Sequence, residues 1–213
     1  MNSKLLNKAL LLSLITIIYN VAEGVISTYF GAADQSLALF GFGVDSFVEV
    51  VSGAGILHMI LRMKKLNEIN IKERDKFEKT ALIITGVSFY VLTVGITAGA
   101  ILNVFSGSHP ETTTAGVIIS LISIATMYWL MKSKLDTGTK LNSPAIIADA
   151  NCTRTCFYLS FILFFSSIIY QLTGIGFIDA FGSLGIAYYA FKEGKEALEK
   201  SKQKDAAISC DCH

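Results

Sequence analysis

Six apolar stretches run through this chain of 213 residues, at 9–30, 37–61, 81–105, 115–131, 144–172 and 175–191. Each is close to the roughly 20 residues that a helix needs to cross about 30 Å of hydrocarbon at about 1.5 Å per residue. One such stretch fits a buried core helix equally well. Six of them joined by short polar loops do not, because loops of that size cannot build a soluble shell around them. Charged residues are only 16% of the chain, against about 25% in an average soluble domain. There are two prolines and no low-complexity linker. The sequence therefore predicts an all-α membrane protein, with six transmembrane helices in residues 1–196 and a short cytoplasmic tail at 197–213.

The placement of charge sets the orientation. Seventeen of the 18 basic residues fall before the first stretch, between the second and third, between the fourth and fifth (Lys132, Lys134 and Lys140), or after the sixth. With alternating helices these segments share one side. The opposite loops, "GAADQS", "SGSHPETTT" and "TGIG", carry no basic residue. The positive-inside rule then places both termini in the cytoplasm. The first stretch is not a cleaved leader: it is too long for a signal core, lacks a small-residue cleavage site, and contains Asn20 and Glu23. The net charge of +1 points to no nucleic-acid partner.

The eighteenth basic residue, Arg154, lies inside the fifth stretch, and Glu23, Asp45, Glu49, Asp149 and Asp179 also lie inside spans. An ionised group at mid-membrane costs at least about 2.5–3.5 kcal/mol, so such groups face an interior site or a partner. Asp179, near the outer end of the sixth helix, fits a structural role equally well. For Arg154 the expected partner is Glu23 on the first helix, with Asp149 as the alternative, in an ion pair holding the first helix against the fifth.

Two pairs repeat at i, i+4: Asp45 with Glu49, and Cys152 with Cys156. That spacing puts each pair on one helix face. Asp45 and Cys152 each lie about eight residues into their stretches, about 12 Å deep. Two carboxylates and two thiols can therefore meet near the membrane middle. Buried cysteines are often inert packing groups, and CxxxC alone is weak. Two carboxylates one turn apart, however, repel unless they are protonated or hold a cation. The four together suit a tetrahedral ion: Zn²⁺ takes thiolate at about 2.3 Å and carboxylate at about 2.0–2.2 Å, and sulfur disfavours Mg²⁺ and Ca²⁺. Asp45, Glu49, Cys152 and Cys156 are the candidate metal ligands.

These segments resemble the cation diffusion facilitator family. "ISTYFGAADQSLALFGFGVDSFVEVVSG" is similar to that family's turn and second helix, with its D-x-x-x-D or H-x-x-x-D pair. "SPAIIADANCTRTCFYLS" is similar to the fifth helix, with Cys152 where the family usually has His and Cys156 where it has Asp. "GFIDAFGSLGIAYYAFKEGKEAL" resembles the sixth, with Asp179 at the usual acidic position. The resemblance implies a homodimeric six-helix transporter that exports a divalent metal ion from the cytoplasm against protons, as a multi-pass protein of a bacterial inner or plasma membrane. It implies no enzyme activity and no cofactor beyond the transported ion. There are two departures. The thiols favour a softer ion, in the Zn, Cd or Hg class, and only about twenty residues follow the sixth helix where the family carries a cytoplasmic metal-binding domain.

The tail ends in Cys210, Asp211, Cys212 and His213. Cys210, Cys212 and His213 are candidates for metal capture near the inner mouth, since Cys/His tracts bind metal without a fold. A frayed terminus is the plainer reading. Two other functions compete: a membrane thiol redox protein using Cys152 and Cys156, which leaves Asp45 and Glu49 unexplained, and a membrane metal sensor that moves no ion.

Overall fold

The computed structural model describes residues 3–65, 71–106, 114–141, 143–175 and 177–202. They form six helices: α1 Ser3–Ala33, α2 Leu37–Lys65, α3 Ile71–Ser106, α4 Thr114–Lys140, α5 Pro144–Thr173 and α6 Phe177–Lys202. The tail residues Cys210, Cys212 and His213 lie outside the described residues.

The helix ends follow local chemistry. Ser143 precedes α5 in an extended conformation, and Pro144 opens the helix, where a missing N–H costs nothing and φ is already helical. Gly174 closes α5 with φ 67°, and its N–H donates to the Tyr170 carbonyl, a left-handed cap that glycine adopts without a Cβ clash. The start of α2 is held from another helix: Asp179 of α6 accepts from Ser36 Oγ at 2.6 Å and from the Leu37 N–H at 2.9 Å. The acidic residue of α6 thus fills the structural role that its position allowed.

Three helix pairs dominate the packing: α1 with α2, α3 with α6, and α4 with α5. Helix α2 also meets α3, α5 and α6, which puts it beside α5 at the centre. Phe42, Leu39, Ile96, Leu159, Leu163 and Ile186 form an apolar core across α2, α3, α5 and α6. Antiparallel α1 and α2 approach closely at Gly43, where an added Cβ would stand 2.6 Å from the Thr28 nitrogen. Glycine is required there because backbone, rather than a movable side chain, is the obstacle.

The exposed surface identifies the solvent. On α1 the buried face carries Ser13, Thr16, Asn20, Glu23 and Ser27, while Leu11, Ile18, Val25 and Tyr29 are more than half exposed. Phe105, Leu172 and Phe181 are exposed on other helices. A soluble helix shows the reverse pattern. Four helices are long and apolar enough to cross a membrane: Lys4–Ala33, Leu37–Leu61, Thr114–Lys140 and Asp149–Thr173. Within α3 the apolar run is the shorter Phe89–Leu102. The expectation of an all-α, six-helix membrane bundle holds.

Two boundaries differ from expectation. Helix α6 continues through position 196 to Lys202. Helix α4 runs on to Lys140, nine residues past the apolar stretch, so Lys132 and Lys134 are helical rather than loop residues. Lys134 is among the largest fully buried side chains, at 1% exposure. The reason lies in spacing: Ser123, Met127, Leu130, Lys134 and Thr137 fall every three or four residues and form one buried stripe.

Candidate metal-binding site

The i, i+4 pairs of α2 and α5 face each other. Asp45 and Glu49 are buried at 2% and 4% exposure, and Cys156 is buried with them. The Cys156 thiol donates to Asp45 Oδ2 at 3.5 Å. One turn toward the α5 N-terminus, Glu49 Oε1 lies 3.0 Å from Thr153 Oγ1. Antiparallel packing explains this order, because one turn forward on α2 is one turn back on α5. Neither Cys152 nor Cys156 is in a disulfide, and Cys152 is partly exposed. Among the described residues no three His, Cys, Asp or Glu side chains close around a common point. Asp45 meets α5 through Cys156, and Glu49 meets it through Thr153.

The polar surroundings hold these groups in place. Ser160 Oγ lies 2.8 Å from the Cys156 carbonyl and 2.9 Å from Ser123 Oγ of α4. Thr155 donates to Glu193 of α6 at 2.9 Å. On the far side of α2, Ser46 Oγ lies 3.0 Å from Glu23 Oε2. A buried carboxylate without such partners carries a large desolvation cost.

Sequence reasoning placed Glu23 against Arg154, and the structure does not. Glu23 is buried between Ser46 and Tyr19, whose hydroxyl donates to Oε1 at 2.8 Å. Arg154 is exposed on the outer side of α5. Helix α1 packs chiefly on α2 and α4, so the guanidinium faces away from Glu23. A compatible charge and depth did not make Glu23 the partner of Arg154. Hydroxyl groups satisfy Glu23 instead, and a long side chain on the outer surface can carry its charge along the helix toward the polar boundary.

Asp149, the alternative partner of Arg154, pairs with a residue that sequence reasoning had assigned to a loop. Lys134 Nζ lies 2.9 Å from Asp149 Oδ2, with both side chains 1% exposed. The same ammonium donates to Thr153 Oγ1 at 2.8 Å, and is therefore one hydroxyl away from Glu49. The signal for Lys134 was in the sequence, as the continuation of the α4 stripe through Met127 and Leu130, but it was hidden by the surrounding lysines.

Comparison with known proteins agrees with this architecture. The chain matches the cation efflux transmembrane domain over residues 9–203. It is 28% identical over 197 residues to the manganese efflux system protein MneP of Bacillus subtilis, covering 89% of this chain and 66% of that protein. It is 26% identical over 175 residues to an uncharacterized transporter of Methanocaldococcus jannaschii, covering 82% of this chain and 62% of the relative. The chain thus spans less than two thirds of the length of either relative. With its lipid-facing exterior, its acid and thiol pairs on adjoining helices, and a match that runs from the first helix through the sixth, this multi-pass membrane protein belongs to the cation efflux family.

Proposed function

We propose that this protein exports a divalent metal ion from the cytoplasm in exchange for protons, with Asp45, Glu49, Cys152 and Cys156 as the ligands that hold the ion in transit. The observation that carries this reading is the meeting of the two pairs: Cys156 against Asp45 at 3.5 Å, with Glu49 joined to α5 next to Cys152 through Thr153. Thiols and carboxylates give up protons when they bind metal, so binding and proton release are linked in the ligands themselves. Because the pairs belong to different helices, a small rocking of α2 against α5 opens or closes the set.

Two thiolates favour the Zn, Cd or Hg class over a hard ion. The name of MneP brings Mn²⁺ forward as the competing cargo. The ligand chemistry supports the softer class, because Mn²⁺ prefers carboxylate and carbonyl oxygen. The basic loops support cytoplasmic termini, and the cation efflux family supports export through a plasma membrane and assembly as a homodimer.

Uptake of Zn²⁺, Cd²⁺ and Mn²⁺ into proteoliposomes with an imposed proton gradient tests the proposal. We expect Cd²⁺ or Zn²⁺ uptake to exceed Mn²⁺ uptake. Asp45→Ala and Cys152→Ala should each abolish uptake while helical content and elution volume stay unchanged. Preferred Mn²⁺ uptake overturns the softer cargo, and wild-type rates in either variant overturn the ligand set.

A further inference from the structure

Lys134 anchors a second buried polar cluster, between α2, α4 and α5. Its ammonium contacts Asp149 Oδ2 and Thr153 Oγ1, and Thr153 in turn reaches Glu49 Oε1. The other oxygen of each carboxylate, Glu49 Oε2 and Asp149 Oδ1, is buried without a hydrogen-bond partner. Asp149 meets the ammonium directly, and Glu49 meets it through the Thr153 hydroxyl. Buried acceptors left open in this way are rare in proteins and call for an explanation, an unseen ion among them.

Depth separates this cluster from the Asp45–Cys156 contact. Asp149 lies five residues past Pro144 and Cys156 twelve, about 8 Å and 18 Å along the helix. In the orientation proposed above, Asp149 is nearer the cytoplasm.

We propose that Asp149 and Glu49, the latter shared with the transit set, form a second cation position on the cytoplasmic side of the Asp45–Cys156 contact. Lys134 fills it as the structure stands and yields it to a divalent ion in transit. This rests on the reading that the ion passes between α2 and α5. A lysine ammonium has three donors and a single charge on a flexible four-carbon stem. It keeps the empty carboxylates compensated but leaves two oxygens open. A divalent ion brings twice the charge and binds carboxylate oxygen at about 2.0–2.2 Å, so it can use the lone pairs that the ammonium leaves idle. The displaced stem swings aside, and the ion sits one step from Asp45 and Cys156.

The test is equilibrium Cd²⁺ and Mn²⁺ binding to the full chain in lipid nanodiscs. Lys134→Met vacates the position, and we expect at least tenfold tighter binding or one additional ion per chain. The gain should persist when Asp45→Asn is added and disappear when Asp149→Asn is added. Wild-type binding by a folded Lys134→Met chain overturns the proposal, as does a gain indifferent to Asp149→Asn. A second arm needs no variant: labelling of Lys134 by an amine-reactive reagent, read by mass spectrometry, should rise on adding Cd²⁺ or Mn²⁺. Unchanged labelling at saturating Cd²⁺ and Mn²⁺ also overturns it. If wild-type proteoliposomes take up no metal while the Asp149-dependent gain is present, the transport reading fails and the second position stands.

Discussion

Replacing Asp179 with alanine removes the carboxylate that reaches the start of α2 from α6. Three donors lose their acceptor: Ser36 Oγ at 2.6 Å, the Leu37 N–H at 2.9 Å and the Ala38 N–H at 3.5 Å. The two backbone groups belong to the first turn of a helix, where no intrahelical carbonyl is available. Interhelical polar contacts in membranes contribute about 0.6–1.7 kcal/mol each, so three amount to about 2–5 kcal/mol. The Ala38 contact is long, which favours the lower half, about 2–3 kcal/mol. That corresponds to a roughly 30- to 150-fold loss in the folding equilibrium. Asp179→Asn keeps one acceptor oxygen and should lose about half as much free energy. Unfolding in mixed micelles, followed by circular dichroism, measures both. Metal affinity per folded molecule should not change, because Asp45 lies eight residues further along α2, about 12 Å away. An Asp179→Ala protein within about 0.5 kcal/mol of wild type would refute the capping role. A change in metal affinity with stability intact would move Asp179 from fold to transport.

Three further outcomes are expected. Arg154→Gln should change stability by less than about 0.5 kcal/mol, as exposed sites usually do, whereas Glu23→Gln should destabilise; a double-mutant cycle should show no coupling, and coupling above about 1 kcal/mol would restore the ion pair. Cys152→His with Cys156→Asp should shift competition in transport assays from Cd²⁺ toward Zn²⁺, and an unchanged preference order would show that these side chains do not set selectivity. Gly43→Val should reduce folded yield sharply, since its Cβ meets the Thr28 backbone; a stable, fully folded variant would contradict the close α1–α2 crossing.

The six helices were legible because a membrane span is a composition signal of fixed length, independent of what the helix touches. The ligand pairs were legible because i, i+4 spacing is a property of one helix, and an acid within a hydrophobic run needs a reason. Partners across helices were not legible in the same way. Glu23 and Arg154 had compatible charge and depth, but the faces that α1 and α5 present depend on packing, which put Glu23 with Tyr19 and Ser46. Lys134 was misread for the opposite reason. Three lysines in nine residues look like a water-facing segment, and the buried spacing continuing from Ser123 is visible only if the helix is carried past Met131. Its companion Thr153 gives no signal in the sequence, because a threonine in a hydrophobic helix usually has only its own backbone to bond, and Thr153 Oγ1 does lie 3.1 Å from the Asp149 carbonyl.

The pairing of helices sets an order for assembly. Helices α1 and α2 are consecutive, as are α4 and α5, and each pair is joined by a turn of three residues. Each is a hairpin complete as soon as its second helix is made. Helix α3 is different: its main partner is α6, the last helix of the six to leave the ribosome. One hairpin, α4–α5, separates the synthesis of α3 from that of its mate, and contacts so distant in sequence form late. Until then the face of α3 around Gly86, where an added Cβ would meet Leu198 and the Gly194 carbonyl, has nothing to close against. A nascent chain stopped before α6 would therefore display a long helix with an open flank. That interval is when membrane quality control has most to recognise, and it ends when α6 docks and its Asp179 reaches the start of α2.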